Sequence, residues 1–145
     1  MSITTLVLPA GLPYVAAALV STAFLLTGQM IAVGRARKAA GIKYPQLYAD
    51  KAEMAASPAA VKFNCVQRAH QNTLENIAQV YMMTTVLGLR HPVLAASGLA
   101  MWVASRVAYT IGYASGNPDT VFYMPAVLTL LFGSIYSAYE LVAGI

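Results

Sequence analysis

The sequence predicts an all-α membrane protein, a bundle of four transmembrane helices in one domain that covers residues 1–145. Of the 145 residues, 59% are hydrophobic, and the mean hydropathy is +0.62. Only 10% of the residues are charged, whereas a soluble domain carries about 25%. Four apolar tracts are each about as long as the ~20 helical residues that cross a bilayer. These tracts are residues 12–33, 63–89, 93–114 and 124–143.

The first tract, residues 12–33, is expected to be a permanent span. Pro9 and Pro13 bracket its start, and Gly34 is expected to end the helix. No basic residue precedes the tract, and its apolar run is longer than the about 7–15 residues of a signal-peptide core.

The second tract, residues 63–89, is longer than a bilayer requires. A helix of its 27 residues would be about 40 Å long, whereas the hydrocarbon core is about 30 Å thick. Its polar first half is therefore expected near the cytoplasmic interface. The turn "RHP" at 90–92 leads into the third tract, and the cluster "SGNPD" at 115–119 separates the third tract from the fourth.

Basic residues are concentrated in the predicted loop at residues 34–62. By the positive-inside rule this loop faces the cytoplasm, as does the loop at 115–123, and both termini face the other side. The net charge of +4 is thus a topology signal, because no face interleaves basic and aromatic residues as nucleic-acid binding would require. The loop holds six of the nine basic residues, Arg35, Arg37, Lys38, Lys43, Lys51 and Lys62.

Polar residues form a stripe on the second helix. Arg68, Asn72, Glu75 and Gln79 follow the spacing i, i+4, i+7, i+11 and lie within about 60° of one another on a helical wheel. A charge within a membrane costs about 2.5–3.5 kcal/mol on insertion scales, so it usually faces a bundle interior or a wet cavity. The structural alternative is that Arg68 and Glu75 neutralise each other as polar contacts between helices.

A second polar face is predicted on the third helix. Arg106, Tyr109, Thr110 and Tyr113 follow the spacing i, i+3, i+4, i+7. Since Glu75 can pair with only one arginine, an excess of convergent donors indicates an external ligand with carboxylates.

The remaining reactive side chains suggest little chemistry. Cys65 is the only cysteine, so no intrachain disulfide forms, and it is interpreted as a small helix residue, with a thiol activated by Arg68 as the alternative. His70 points about 160° away from the Arg68 stripe and is expected to make a loop or subunit contact. No metal is expected, because no second ligand stands at metal spacing with His70.

Four stretches in the centre of the chain carry a resemblance to a known family. They are "VGRARKAAGIKYPQLYAD" at 33–50, "FNCVQRAHQNTLE" at 63–75, "HPVLAASGL" at 91–99 and "SRVAYTIGYASGNP" at 105–118. They resemble the MAPEG family, the membrane-associated proteins in eicosanoid and glutathione metabolism, and most of all its microsomal glutathione S-transferase 3 branch.

The resemblance implies a four-helix membrane fold that assembles as a homotrimer, with glutathione bound between neighbouring subunits near the cytoplasmic face. Family members conjugate glutathione to lipophilic electrophiles or reduce lipid hydroperoxides with it, and a few have no enzymatic activity. The implied membrane is the endoplasmic reticulum in a eukaryote or the inner membrane in a bacterium.

The resemblance also implies which residues bind glutathione as co-substrate. Glu75 would suit the ammonium group of the tripeptide, and the arginines would suit its carboxylates. Arg35 lies where the family places a basic residue at the end of the first helix. The implied glutathione contacts are Arg68, Asn72 and Glu75 on the second helix and Arg106, Tyr109 and Tyr113 on the third.

The chain departs from the family pattern where thiol activation is concerned. Relatives commonly carry Lys or Arg a few residues after Tyr113, and often a tyrosine at or soon after the position of Asn76, and this chain has neither. Activation is therefore expected from Arg35, with Arg37, Arg106 or a tyrosine hydroxyl, Tyr109 first, as alternatives. The alternatives in function are a non-enzymatic lipid-binding or scaffold member and, for the buried arginines alone, a small transporter.

Overall fold

The computed structural model describes residues 9–115 and 124–145, and these residues form five helices and no strand. Helix α3 packs against α1, α4 and α5, and α4 packs against α1 and α5. The α3–α4 pair therefore forms the centre of the fold, with α1 and α5 flanking it. The helices are α1 (Leu12–Ala40), α2 (Lys51–Ala56), α3 (Pro58–Gly88), α4 (Pro92–Ser115) and α5 (Met124–Ala143).

Helix α1 continues beyond Gly34, where the sequence predicted its end, and stops before Gly41 instead. Gly41 adopts a left-handed conformation with φ 71°, and its N–H donates to Lys38 O while that of Ile42 donates to Arg37 O. This pair of bonds is a Schellman motif, and the basic side chains in the last turn complement the helix dipole. The apolar tract of the sequence ends at Val33, but the helix continues to Ala40.

The predicted loop at residues 34–62 is correspondingly shorter than expected. Helix α3 begins at Pro58 instead of Phe63, because proline is well placed in a first turn where no N–H donor is needed. Within the remaining connection, Asp50 and Glu53 start α2 with a capping box: each carboxylate accepts the other residue's backbone N–H at 2.8 Å. The charged residues at 34–62 were predicted to lie in a loop, but most of them lie near the end of α1, at the start of α3 or in the short helix α2.

The other helix bounds lie close to the predicted ones. Helix α3 ends one residue earlier than predicted, α4 extends one residue further at each end, and α5 has the predicted bounds. The turn predicted at residues 115–119 falls almost wholly in residues 116–123, outside the described part of the chain.

Three helices in the described residues, α1, α4 and α5, are long and apolar enough to cross a membrane. Helix α3 has the length, but its polar first half lowers its hydropathy. Large apolar side chains cover the outer surfaces, as expected for groups that contact hydrocarbon instead of water. They include Phe24, Met30, Ile111, Phe132, Ile135 and Val142.

A small hydrophobic core at the loop end of α1 contains a buried arginine. The Arg37 side chain is only 6% exposed, and its Nη1 donates to Gln46 O at 2.6 Å. Its guanidinium lies 4.3 Å from the centre of the Tyr44 ring and 4.5 Å from that of Phe63. We call this arrangement the Arg37 clamp. These contacts pack the guanidinium against the connection between α1 and α2 and against α3.

Candidate functional site

Arg68 and Glu75 lie two turns apart on the outer face of α3 and form an ion pair. Arg68 Nη1 donates to Glu75 Oε1 at 2.9 Å, and the two side chains are 47% and 43% exposed. Tyr48, from the connection between α1 and α2, lies close enough for its hydroxyl to interact with Arg68. The pair belongs to one helix, so it does not join two helices, as the structural alternative required.

Asn72, between Arg68 and Glu75 on the same face, links α3 to α4. Its Oδ1 accepts a hydrogen bond from Arg106 Nη1 at 2.7 Å. The Arg106 side chain is 1% exposed, and its guanidinium lies 5.6 Å from the Trp102 ring centre and 5.1 Å from that of Tyr109. Both predicted faces therefore meet at the boundary between α3 and α4.

Tyr109 and Tyr113 extend this boundary along α4. Their ring centres are 4.7 Å apart with the planes inclined by 42°, a tilted contact favourable for aromatic rings. Tyr109 is buried and Tyr113 is half-buried. The phenols thus continue the polar surface that begins at the exposed ion pair.

These side chains together make a surface that we call the α3–α4 seam. It offers two guanidinium groups, one carboxylate, one amide and two phenols, and its exposed part carries both a positive and a negative charge. Such a set can hold a ligand that itself carries carboxylates and an ammonium group. The seam consists of Arg68, Asn72, Glu75, Arg106, Tyr109 and Tyr113.

Arg35 is not part of the seam within one chain. It is exposed and lines a separate groove with Lys62 and Val66 of α3. On the α3 wheel Val66 lies about 160° from Arg68, so this groove is on the opposite side of α3. The predicted site residues therefore divide into one contiguous group of six and one outlier.

A buried polar junction that sequence reasoning missed joins three helices. Gln29 of α1 donates from Nε2 to the hydroxyls of Thr73 at 2.9 Å and Thr110 at 2.8 Å. Its Oε1 lies 3.2 Å from His70 Nδ1. Within the chain, His70 contacts α1 and not a loop, and it is half-buried. The sequence signal for this junction was Gln29, a single amide within the apolar tract of α1.

An apolar cleft of about 340 Å³ lies between α1 and α4, beside this junction. Gln29 and Thr110 form its polar end, and the remaining walls, such as Phe24 and Val107, are mainly apolar. Among residues 9–115 and 124–145, no group of three His, Cys, Asp or Glu side chains is placed to hold a metal ion. Cys65 is a free, half-buried thiol.

Comparison with known families agrees with this architecture. The family model for MAPEG matches residues 15–139, a range that includes the whole seam, the Arg37 clamp and nearly all of the four long helices. This family includes glutathione transferases and peroxidases as well as members without enzymatic activity. With most of its length matched and its apolar helices of membrane-spanning length, the chain belongs to the MAPEG family.

Proposed function

We propose that this chain binds glutathione at the α3–α4 seam and is a membrane-embedded glutathione transferase, a glutathione-dependent lipid peroxidase, or both, of the microsomal glutathione S-transferase 3 type. One observation carries the proposal. An exposed Arg68–Glu75 pair adjoins the Asn72–Arg106 contact, so groups of both signs are presented beside a deeply buried cation.

Glutathione matches the charges of the seam. It has two carboxylates, one ammonium group and one thiol, so a carboxylate can replace Glu75 at Arg68 while the ammonium replaces Arg68 at Glu75. Exposed ion pairs contribute only about 0–1 kcal/mol, so exchanging the existing pair for ligand contacts costs little. Bidentate contacts between arginine and carboxylate are stronger.

The chemistry requires the thiolate. A free thiol has a pKa of about 8.5, so a nearby cation or hydrogen-bond donor is needed to favour the ionised form at neutral pH. In the transferase reaction the thiolate attacks an electrophilic carbon and the leaving group departs with its electron pair. In the peroxidase reaction it attacks the terminal hydroperoxide oxygen, giving an alcohol and a sulfenic acid that a second glutathione converts to the disulfide.

Thiol activation is assigned to Arg35 of a neighbouring copy in a homotrimer. Arg35 lies on the opposite side of α3 from Arg68 in its own chain, so only another copy can bring it to the seam. The Tyr109 hydroxyl, which lies in the seam itself, is the alternative donor.

A non-enzymatic role is a second candidate function for one specific reason. No basic residue follows Tyr113 within the described end of α4, although relatives commonly carry one there. A member that binds glutathione or lipid without turnover would need no such cation.

Turnover by the purified protein in lipid nanodiscs tests the proposal against this alternative. Glutathione consumption is measured with a generic aryl halide and with a lipid hydroperoxide, and glutathione binding is measured by calorimetry on the same sample. Binding with turnover supports the enzyme, and binding without turnover supports the non-enzymatic member. Absence of glutathione binding would overturn the glutathione proposal and leave only a lipid-binding or scaffold role.

The proposed orientation places the loop between α1 and α3 in the cytoplasm and both termini on the other side, with α3 as the fourth span. Labelling in sealed vesicles tests it, using Ile145→Cys in a Cys65→Ser background so that the engineered thiol is the sole target. Labelling of that thiol from the cytoplasmic side alone would reverse the orientation.

A further inference from the structure

The connection between α1 and α2 contains a short segment, residues 46–49, that is tied to both long helices beside it. We call this segment the strap. At its start, Arg37 Nη1 donates to Gln46 O at 2.6 Å. At its end, the Asn64 side chain of α3 holds both backbone groups of Ala49. Its Oδ1 accepts from the Ala49 N–H at 2.7 Å, and its Nδ2 donates to Ala49 O at 2.9 Å. Ala49 is only 4% exposed, so the strap is fixed at both ends.

Tyr48 lies between these two anchors, directly before Ala49. Asn64 precedes Arg68 by four residues on α3, which places both on one face of the helix, one turn apart. The bonds to Asn64 therefore bring the strap to the exposed end of the α3–α4 seam. There the half-buried Tyr48 side chain places its hydroxyl within interaction distance of the Arg68 guanidinium.

The chemistry of this contact leaves one donor free for a ligand. A guanidinium has donors only, whereas a hydroxyl has one donor and two lone pairs. The Tyr48 oxygen can therefore only accept from Arg68, and its O–H can donate to another group. Arg68 now contacts the Glu75 carboxylate at 2.9 Å. A ligand carboxylate that takes the place of Glu75 would lie beside the Tyr48 hydroxyl as well, and hydrogen bonds to a carboxylate are stronger than those between neutral groups.

We propose that Tyr48 is a further glutathione-binding residue, whose hydroxyl donates to the ligand carboxylate held by Arg68, and that Asn64 positions it through the strap. This inference rests on the glutathione site proposed above and adds a determinant of its specificity, because only a ligand with a carboxylate at this place receives both contacts. The strap holds Tyr48 in place before the ligand arrives, so little conformational entropy is lost on binding. Asn64 is a positioning residue, since it acts through Tyr48.

Calorimetry in lipid nanodiscs with three ligands tests the proposal. They are glutathione, its glycine ethyl ester, and the analogue with 4-aminobutyrate in place of the γ-glutamyl residue, so each analogue lacks one carboxylate and keeps the ammonium group. Tyr48→Phe keeps the ring and removes the hydroxyl, and we expect it to weaken glutathione binding about tenfold. The effect should persist with one analogue and disappear with the other, the one that lacks the carboxylate bound by Arg68. A general distortion of the site would weaken all three ligands equally.

Tyr44→Phe is the matched control, because it removes a phenol hydroxyl from the same connection at a ring that faces Arg37 and not the seam. It should bind glutathione normally. Asn64→Ala releases the strap and should also weaken glutathione binding about tenfold. The double variant Asn64→Ala/Tyr48→Phe should bind no more weakly than either single variant, because both substitutions remove the same contact. Circular dichroism establishes which variants are folded.

The outcomes separate this inference from the glutathione proposal. Absence of glutathione binding by the unaltered protein would overturn both. Normal affinity of Tyr48→Phe for glutathione, or an equal loss with all three ligands, would overturn the role of Tyr48 alone. Additive losses in the double variant would overturn the positioning role of Asn64. The Tyr48→Phe measurements decide the binding role even where Asn64→Ala does not fold.

Discussion

The Arg37 clamp and the α3–α4 seam both bury an arginine beside aromatic rings, yet they differ in what surrounds the charge. In the clamp, Arg37 donates to backbone oxygens of the connection between α1 and α2 and contacts the rings of Tyr44 and, on α3, Phe63, and none of these contacts is to a charged side chain. In the seam, Arg106 is buried more deeply, but through Asn72 it continues to the exposed pair of Arg68 and Glu75. Burial of a cation alone therefore does not indicate a ligand site, and the proposal for the seam rests on its continuity with exposed, exchangeable charges.

This difference separates stability from affinity. The contacts of a side chain that the protein encloses, such as Arg37, are present with or without a ligand, so removing them lowers the free energy of unfolding. Contacts between exposed side chains, such as Arg68 and Glu75, can be replaced by contacts with a ligand. Removing such a side chain therefore lowers ligand affinity and leaves the fold nearly unchanged. The variants below test this separation.

The largest expected effect is on stability, from Arg37→Ala. The variant removes a charge-assisted hydrogen bond and two ring contacts from a buried position, so we expect the free energy of unfolding to fall by about 3 kcal/mol. Denaturation in mixed micelles measures it, and faster proteolysis between α1 and α2 would localise the change. Lys43→Ala, an exposed cation in the same connection, should change stability by less than about 0.5 kcal/mol. Equal free energies of unfolding for the two variants would show that the Arg37 clamp does not stabilise the fold.

Next in size is the effect of Arg68→Ala on glutathione affinity. Loss of a charge-assisted contact is expected to weaken binding by about 2 kcal/mol, or about 30-fold, with little change in unfolding. Arg68→Lys keeps the charge but not the forked geometry, so it should recover only part of the affinity. Calorimetry in detergent measures both variants. Unchanged affinity of an intact assembly would make Arg68 a surface residue without a ligand role.

A smaller effect is expected at the junction of α1, α3 and α4. Gln29→Leu leaves His70 without its partner at Gln29, although Thr73 and Thr110 still donate to backbone oxygens of their own helices. We expect a loss of about 1–2 kcal/mol in the free energy of unfolding and no change in glutathione affinity. Met30→Leu, at the exposed neighbouring position, is the control. If Gln29→Leu also lowered glutathione affinity, buried contacts would affect both stability and binding, and the proposed separation of the two would be wrong.

The sequence allowed the arrangement within a helix to be predicted, but not that between helices. Arg68, Asn72 and Glu75 share a face because helical periodicity sets their angular positions, and the observed ion pair is a direct result. Placing Arg106 against Asn72 required the packing of two helices, which spacing alone does not determine. That contact followed only from the expectation that both polar faces turn inward.

Errors arose where composition was interpreted as structure. The charges after Gly34 suggested a loop, although α1 continues through them to a Schellman motif. The rotation of α1 about its axis places Arg37 inward and Arg35 outward, and two basic residues so close in sequence gave no sign of this difference. The contact of His70 with Gln29 could not be predicted, because Gln29 lies on another helix.

The smallest expected effect, from Arg35→Ala, tests whether the seam is completed by a neighbouring copy. If Arg35 stabilises the thiolate, kcat should fall about tenfold, or about 1.4 kcal/mol, while glutathione affinity stays nearly constant because the interaction is made mainly with developing charge. The thiolate absorbance of bound glutathione against pH and steady-state kinetics measure these effects. Lys38→Ala, which removes an exposed cation three residues further along α1, should have normal kcat.

Mixed assemblies then decide which copy supplies Arg35. Co-expressed Arg35→Ala and Arg68→Ala chains can form sites that take an intact Arg35 from one copy and an intact Arg68 from another, so activity should exceed that of either variant alone. If one chain supplied both residues, every site would lack one of them and mixing would restore nothing. A normal kcat for Arg35→Ala would instead exclude it as the activator and assign that role to Tyr109, the donor within the seam itself.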